Sequence, residues 1–170
     1  ALLNATGVVA GSTIPSGTAA IGVETAEFQI VNEKVIDVWG AAAITFTTAN
    51  GDILLSNDGK VSAVLDGAGT VQATSVDLTA TNGNVRRQTL PDGTKSEGSV
   101  TGKTLDVTAR NDIDLKTVAD TAVLSSTDTG KITIVESDGI DLVSVTTQNG
   151  AIDIQAGGTV IARSVVSTID

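Results

Sequence analysis

The sequence predicts an all-β protein, a single-stranded parallel β-helix (β-solenoid) with an N-terminal cap. Three observations predict it: a short alternating motif that ends in an Asn-Gly corner, recurrence of that motif, and a near absence of aromatic residues. Aromatic residues make up 2% of the 170 residues, while 41% are hydrophobic. A thin core assembled from many copies of a small unit is filled by branched aliphatic side chains and needs few large rings.

The motif alternates apolar and polar residues, turns, and continues with another apolar residue. Alternation with β-branched side chains is typical of strands with one buried face. Each copy therefore predicts two short strands separated by a corner. The copies are Ile44–Ile53, Val76–Val85, Leu105–Ile113, Val123–Ile132 and Val143–Ile152.

The residue after the corner gives the period of the repeat. It is Ile53, Val85, Ile113, Ile132 and Ile152 in successive copies. The spacings are 85 − 53 = 32, 113 − 85 = 28, 132 − 113 = 19 and 152 − 132 = 20. The last two indicate a basic period of about 20 residues, and the first two indicate that period with an insertion.

The corners distinguish a β-helix from its alternative, a β-sandwich of hairpins, in which turns recur every 8 to 12 residues or so. A sandwich does not require Asn-Gly at the same phase of each period. In a β-helix equivalent residues stack about 4.8 Å apart. We therefore expect Asn50, Asn82, Asn111 and Asn149 to form a ladder of side-chain amides.

The alternation also predicts which side chains face inward. Inward pairs before the corner include Val76 with Leu78 and Val143 with Val145. Two residues depart from the pattern. Ser125 occupies an expected inward position, and Arg87 follows Val85 where an aliphatic residue is expected. Each departure indicates a change of register or an early end of the strand.

The chain divides into residues 1–40, predicted to be an N-terminal cap or edge coils, and residues 41–170, predicted to be β-helix coils. Phe28 and Trp39 provide large side chains to cover an exposed core cross-section, as terminal repeats require, and the alternative is that they form a stacking platform for sugar. Residues 86–99 break the repeat, are polar, and contain Pro91-Asp92-Gly93. We interpret them as an insertion that leaves the wall as a loop or hairpin.

Insertions in repeat proteins cluster on one face and often bind. The candidate binding residues are therefore the charged side chains of this insertion. They are Arg86, Arg87, Asp92, Lys95 and Glu97.

Charge and composition exclude several functions. A net charge of −10 argues against nucleic acid, which a basic face binds. Cys and His are both absent, which removes most zinc and copper sites and the usual catalytic bases. Asp next to Gly is first a turn former, so calcium is a secondary hypothesis and no cofactor is predicted. No apolar run approaches the ~20 residues of a membrane span.

No catalytic residues are predicted, but two other classes of protein remain open. One is a polysaccharide lyase or hydrolase, because β-helical enzymes act on polysaccharides; Arg110 and Arg163 are the arginines outside the insertion. Such clefts usually carry exposed aromatic residues, and this chain has only two Phe, one Trp and no Tyr. The other class is a phage or fibre component.

The sequence pattern of the repeats, with its period and its insertions, resembles the repeat region of filamentous haemagglutinin-type bacterial exoproteins. Copies from Val76 to Ile154 carry the likeness. The resemblance implies a right-handed parallel β-helix, export through an outer-membrane partner channel (two-partner secretion), and adhesion at the cell surface. It implies host or neighbouring cell-surface proteins or glycans as partners. The Asn-Pro-Asn-type motifs of the family's secretion domain are not present in the sequence.

Overall fold

The computed structural model describes residues 2–3, 9–10, 19–23, 28–30, 43–56, 60–62 and 75–168. These residues form strands and connecting turns, without a helix. Within them there is accordingly no helix long and apolar enough to cross a membrane.

Alternating sequences with β-branched residues form short strands throughout the described chain. In chain order these are β1 (Leu2–Leu3), β2 (Val9–Ala10), β3 (Ala19–Val23), β4 (Phe28–Ile30), β5 (Ala43–Thr48), β6 (Ile53–Leu55), β7 (Lys60–Ser62), β8 (Ser75–Ala80), β9 (Val85–Arg87), β10 (Ser99–Thr101), β11 (Thr104–Ala109), β12 (Ile113–Val118), β13 (Thr121–Ser126), β14 (Ile132–Glu136), β15 (Ile140–Gln148), β16 (Ile152–Ala156), β17 (Val160–Ala162) and β18 (Val165–Thr168).

Most of these strands belong to two eight-stranded sheets, within which neighbouring strands pair in parallel. Sheet I has the order β17-β15-β13-β11-β8-β5-β3, with β18 also pairing with β15. Sheet II has the order β16-β14-β12-β9-β6-β4, with β10 pairing with β12 and β7. β1 and β2 form a separate antiparallel pair. From β3 onward the chain passes repeatedly from sheet I to sheet II and back, so the all-β prediction and its parallel strands are confirmed for the described residues.

The pairing in sheet II follows the spacing of the sequence repeat. Ile53 pairs with Val85, Val85 with Ile113, Ile113 with Ile132, and Ile132 with Ile152. Equivalent positions of the repeat therefore lie side by side on neighbouring strands.

Side chains from both sheets share one core. Val76, Leu78 and Leu105 come from sheet I, Ile113 and Leu115 come from sheet II, and all belong to one buried cluster. Burial alternates along the strands, as in Ile113–Val118, because successive side chains point to opposite faces. Ile152 and Ile154 are half-buried and pack against this cluster.

Two inward assignments from the sequence are wrong. Val143 is 42% exposed, because the pairing of β13 with β15 shifts between Ala122 and Val123 and leaves Val143 as an extra residue. In β13 the inward side chains are those of Ala122 and Leu124, so Ser125 faces outward. A β-bulge of this kind changes which side chains face the core.

The predicted asparagine ladder is also largely wrong. Asn82 donates from Nδ2 to the Oδ1 of Asn50 at 3.4 Å, but this is the single rung found among the described residues. Asn111 lies against Gly83 instead, since its N–H donates to the Gly83 carbonyl at 3.2 Å. The copy that contains Asn111 is one residue shorter, so its asparagine takes the place of the corner glycine.

At two of the corners, Gly83 and Gly130, neighbouring repeats pack so closely that glycine is required. A Cβ on Gly83 would lie 1.9 Å from the carbonyl oxygen of Gly51, and one on Gly130 would lie 2.0 Å from that of Asn111. No side chain fits at such distances. The recurring glycine therefore reflects contact between neighbouring repeats.

A different polar ladder lies directly after the corner. The Oδ1 of Asp52 accepts from the N–H of Asn84 at 2.8 Å, and the Oδ1 of Asn84 accepts from the N–H of Asp112 at 3.0 Å. The Oδ1 of Asp112 then accepts from the N–H of Lys131 at 2.8 Å. Each side chain thus holds the backbone of the next repeat.

The predicted cap falls largely on residues outside the described ones, including Trp39. The described part of residues 1–40 includes β3 and β4, which pair in parallel with β5 and β6.

Candidate functional site: the inserted hairpin

Residues 87–98, here called the hairpin, leave the ladder with β12 between two laddered segments, while Arg87 still pairs with Leu55 of β6. Arg86 pairs with Asp114, and the next laddered residue, Ser99, pairs with Lys116. The whole hairpin therefore stands opposite Leu115 alone. β12 runs unbroken beneath it, so the insertion interrupts one repeat without displacing the next.

The base of the hairpin is held by hydrogen bonds to backbone carbonyls. The N–H of Gln88 and the hydroxyl of Ser96 both donate to the Leu55 carbonyl, at 2.8 and 2.6 Å. Ser96 is fully buried, and its N–H donates to Gln88 at 2.9 Å. A buried serine is stable here because its polar atoms are satisfied.

The tip is a closed turn. The N–H of Leu90 donates to the Thr94 carbonyl at 2.8 Å, and the N–H of Gly93 donates back to Leu90 at 2.9 Å. Asp92 accepts from both the hydroxyl and the N–H of Thr94, at 2.7 and 2.9 Å. These bonds, led by the hydroxyl, lower the pKa of Asp92. Gly93 has φ 85°, a backbone conformation that favours glycine.

Ion pairs attach the hairpin to the following repeat. Arg87 donates from Nε and Nη2 to Asp114 at 3.0 and 2.7 Å, and Lys95 lies 3.4 Å from the same carboxylate. The Lys116 ammonium donates to Glu97, and that hydrogen bond holds the pKa of Glu97 below its usual value. The Arg87 and Asp114 side chains are 12% and 15% exposed, so this pair is screened less than a surface pair.

Arg86 attaches to the preceding repeat instead. Its Nε and Nη2 donate to Asp52 Oδ2 at 3.1 and 2.9 Å. Burial raises the pKa of Asp52, but the hydrogen bonds from Asn84 and Arg86 outweigh it, and the pKa is lowered.

A groove of 360 Å³ lies at the foot of the hairpin. Its lining includes Arg87 and Lys95 from the hairpin, Asp114 from β12, and Lys131 and Thr133 beyond it. Arg86, Asp112 and Ile113 complete the lining. The groove combines cationic and anionic side chains, and most of the charged groups already have an ionic partner.

The structure thus brings four of the five predicted binding residues into ion pairs and leaves Asp92 at the tip. The sequence draws attention to Asp52 and Asp114 as acidic residues that could bind calcium, but it does not predict that they and Lys116 pair with the insertion. Alternation places Asp114 and Lys116 on the outer face of β12, and this is the sequence feature that could have indicated the pairing.

A second groove, of 260 Å³, lies on the outer face of sheet I and is lined by uncharged side chains. It contains Ser125, Thr127, Thr146, Gln148 and Val166, with Ser126, Thr147 and Thr168. Hydroxyls recur here because Ser125 pairs with Thr108 on one side and Thr146 on the other.

The two arginines considered for catalysis lie outside both grooves, and each is paired with a carboxylate. Arg163 donates to both carboxylate oxygens of Asp141, which lowers the pKa of Asp141. Arg110 lies 3.4 Å from Asp128. In the described part of the chain, no group of three or more acidic side chains is placed to hold a metal ion.

Comparison with known proteins gives no match to a family model, a curated protein or a solved structure. The resemblance to haemagglutinin-type exoproteins therefore stays a prediction.

Proposed function

We propose that the chain winds as a right-handed parallel β-helix and acts as a rigid adhesive segment of a large exported bacterial surface protein. The winding is supported by the alternation of strands between sheets I and II and by the core that both sheets share. Right-handed crossovers between parallel strands are favoured by the twist of the strands. With about 4.8 Å per repeat, such winding produces a rod.

The hairpin is the feature that supports the proposed adhesive role. It rises from an otherwise regular surface, its base is bonded to the Leu55 carbonyl, and its Arg87, Lys95 and Glu97 side chains are fixed to β12. A segment already held in one conformation loses little conformational entropy when it binds, so more of the contact energy appears as affinity. The exposed tip, Pro91–Thr94, is then the contacting surface.

The partner in this proposal is a protein or glycan on a host or neighbouring cell. The acidic surface, with net charge −10, suits an exported and soluble rod. Export through an outer-membrane channel follows from the resemblance of the repeats, and the proposal includes neither catalysis nor a cofactor.

The test compares binding of three forms of the protein to epithelial cells and to extracellular matrix. One form is unchanged, one replaces Pro91, Asp92 and Thr94 with glycine or alanine, and one carries Thr121→Ala on sheet I. Because the replaced side chains lie outside the ion pairs of the hairpin base, all three forms are expected to have similar circular dichroism spectra.

We expect binding to fall at least several-fold for the tip variant and to be unchanged for Thr121→Ala. Equal binding by all three forms would remove the adhesive role from the hairpin. Absence of binding by the unchanged protein on every surface would leave a spacer as the function of the segment. Small-angle scattering tests the winding separately, since a β-helix requires a rod of constant cross-section.

A further inference from the structure

Three corners of the chain have the same Asn-Gly dipeptide but different surroundings. They are Asn50-Gly51, Asn82-Gly83 and Asn149-Gly150. We propose that Asn149-Gly150 is a site of spontaneous deamidation in the folded protein, and that the other two corners are protected by their hydrogen bonds.

The reaction is intramolecular. The backbone nitrogen of the glycine loses its proton and attacks the side-chain Cγ of the asparagine. The bond from Cγ to the amide nitrogen breaks, ammonia leaves with the proton, and a five-membered succinimide forms. Water then adds to either carbonyl of the ring and yields aspartate or isoaspartate. Glycine favours this attack because it has no side chain to obstruct the approach.

The Asn82 corner opposes the reaction at both reacting groups. The leaving amide of Asn82 donates to the Ala49 carbonyl at 2.8 Å and to Asn50 at 3.4 Å, so it is held in place. The nucleophile is also engaged, because the Gly83 N–H donates to the Ala80 carbonyl at 3.4 Å. Gly83 itself is buried against the neighbouring corner.

The Asn50 corner is intermediate. Its side-chain Oδ1 accepts the bond from Asn82, which restricts rotation of the amide toward the backbone. The adjacent Gly51 has φ 111° and is only partly buried.

The Asn149 corner lacks the hydrogen bonds of the other two, although Gly150 packs on Gly130 as Gly83 does on Gly51. Asn149 is exposed, and among the described residues its side-chain amide has no hydrogen-bond partner. The Gly150 N–H has none there either. Asn149 is also the one non-glycine residue of the described chain with a positive φ, 57°, a conformation that side chains rarely adopt. The electrophile and the nucleophile are thus both free to react.

Deamidation at this corner would alter the structure around it. Isoaspartate adds a methylene to the backbone, and a Cβ on Gly150 would already lie 2.0 Å from the Gly130 carbonyl oxygen. The N–H of Asn149 donates to Thr168, and the carbonyl of Gly150 accepts from Ser167 at 2.7 Å. The reaction would therefore loosen β18.

The test incubates folded protein in mildly alkaline buffer and follows each corner by peptide mapping with mass spectrometry and isoaspartate detection. We expect conversion at Asn149 to be fastest, several-fold above Asn82, with Asn50 between them, and all rates to rise with pH. In urea the three rates should converge, because the difference comes from the fold. Asn149→Gln, which disfavours the five-membered ring, should remove the fast phase.

Conversion at Asn82 or Asn50 that equals or exceeds conversion at Asn149 in the folded protein would overturn the proposal. The same holds if Asn149 stays intact in the folded protein while it reacts in urea.

Discussion

The interrupted repeat (residues 75–101) and the regular repeats (residues 104–156) share one core but differ in sheet II. In the regular repeats the first two inner positions of sheet II stack aliphatic side chains, such as Ile113 on Ile132, and the third places the buried Thr117 beside the buried Glu136. In the interrupted repeat the position opposite Leu115 is occupied by the hairpin, and Arg87 turns outward to Asp114.

This difference shows how a repeat tolerates an insertion. The regular repeats depend on burial of apolar surface, which is nondirectional and is lost in proportion to area. The interrupted repeat shares this apolar core through Val76, Leu78 and Val85. Its hairpin is held in addition by directed hydrogen bonds and ion pairs, which fix it at defined atoms. Substitutions in the two regions should therefore differ in magnitude and in sensitivity to salt.

The largest effect is expected for a charge placed in the regular core. Ile132→Asp buries a carboxylate without a partner at a fully buried position and should lower the free energy of unfolding by at least about 4 kcal/mol. Val135→Asp on the same strand is the control, because Val135 faces outward beside Lys116. Urea denaturation measures both, and equal stability of the two variants would show that the inward assignment of β14 is wrong.

The second-largest loss of stability is expected at a corner where two repeats are in contact. Gly83→Ala places a methyl group 1.9 Å from the Gly51 carbonyl, so the neighbouring repeats must move apart. We expect a loss of about 1–3 kcal/mol, the range for overpacked sites. Thr81→Ala, an exposed change near the same corner, should leave the thermal midpoint nearly unchanged. A Gly83→Ala protein that melts with the parent would contradict the close approach.

The ion pairs of the interrupted repeat should contribute less. Asp114→Asn removes the carboxylate that Arg87 and Lys95 share and should cost roughly 1.5–3 kcal/mol, the range for hydrogen bonds to charged groups. Asp153→Asn breaks the more exposed pair with Lys131 and should cost at most about 1 kcal/mol. The free energy of unfolding of both variants is measured at low and high salt, because salt screens the exposed pair more strongly. Equal losses in the two variants would show that the hairpin pair is no stronger than a surface pair.

The smallest expected effect is an increase in the free energy of unfolding. Desolvation, and then the neighbouring Asp77 carboxylate, raise the pKa of Asp106 on the outer face of sheet I. A raised pKa in the folded state means that ionised Asp106 destabilises the protein at neutral pH. Asp106→Asn should therefore stabilise it by about 0.5 kcal/mol, as expected for relief of a like-charge cross-strand pair.

This stabilisation depends on pH. It should be complete at neutral pH and should shrink as the pH falls through the raised folded-state pKa of Asp106 toward the unfolded one, because the wild-type carboxyl is then protonated. A difference that is constant over this range would show that the Asn variant acts through some other contact.

The regular repeats were also easier to predict than the interrupted one. Spacing alone predicts the pairs Ile113–Ile132 and Ile132–Ile152, because identical phase in a parallel repeat means adjacency. The alternation no longer predicts which way a side chain points where a repeat has gained or lost a residue. Val143 is the extra residue of a bulge, and Asn111 belongs to a shortened copy, so a strict alternation misassigns both.

The site is less predictable than the fold. The sequence indicates that the chain leaves the repeat near Arg86, since polar and turn-forming residues replace the alternation. It does not indicate that the hairpin folds over β12, because the distance between Arg87 and Asp114 depends on the direction in which the hairpin leaves the sheet. The sequence repeat does not predict the polar ladder from Asp52 to Lys131, because the residues that form it differ in type.

Repeats of unequal length stack in parallel and in register in this protein. Because the chain has no Cys, spin labels can be placed at Thr47→Cys and Thr146→Cys, outward positions linked through Thr79, Thr108 and Ser125. Four steps of about 4.8 Å predict a separation of the two backbone sites near 19 Å. Pulsed electron resonance should give one narrow distribution at that distance, broadened only by the label arms. A distribution centred well beyond about 30 Å, or one with several separate peaks, would contradict this stacking.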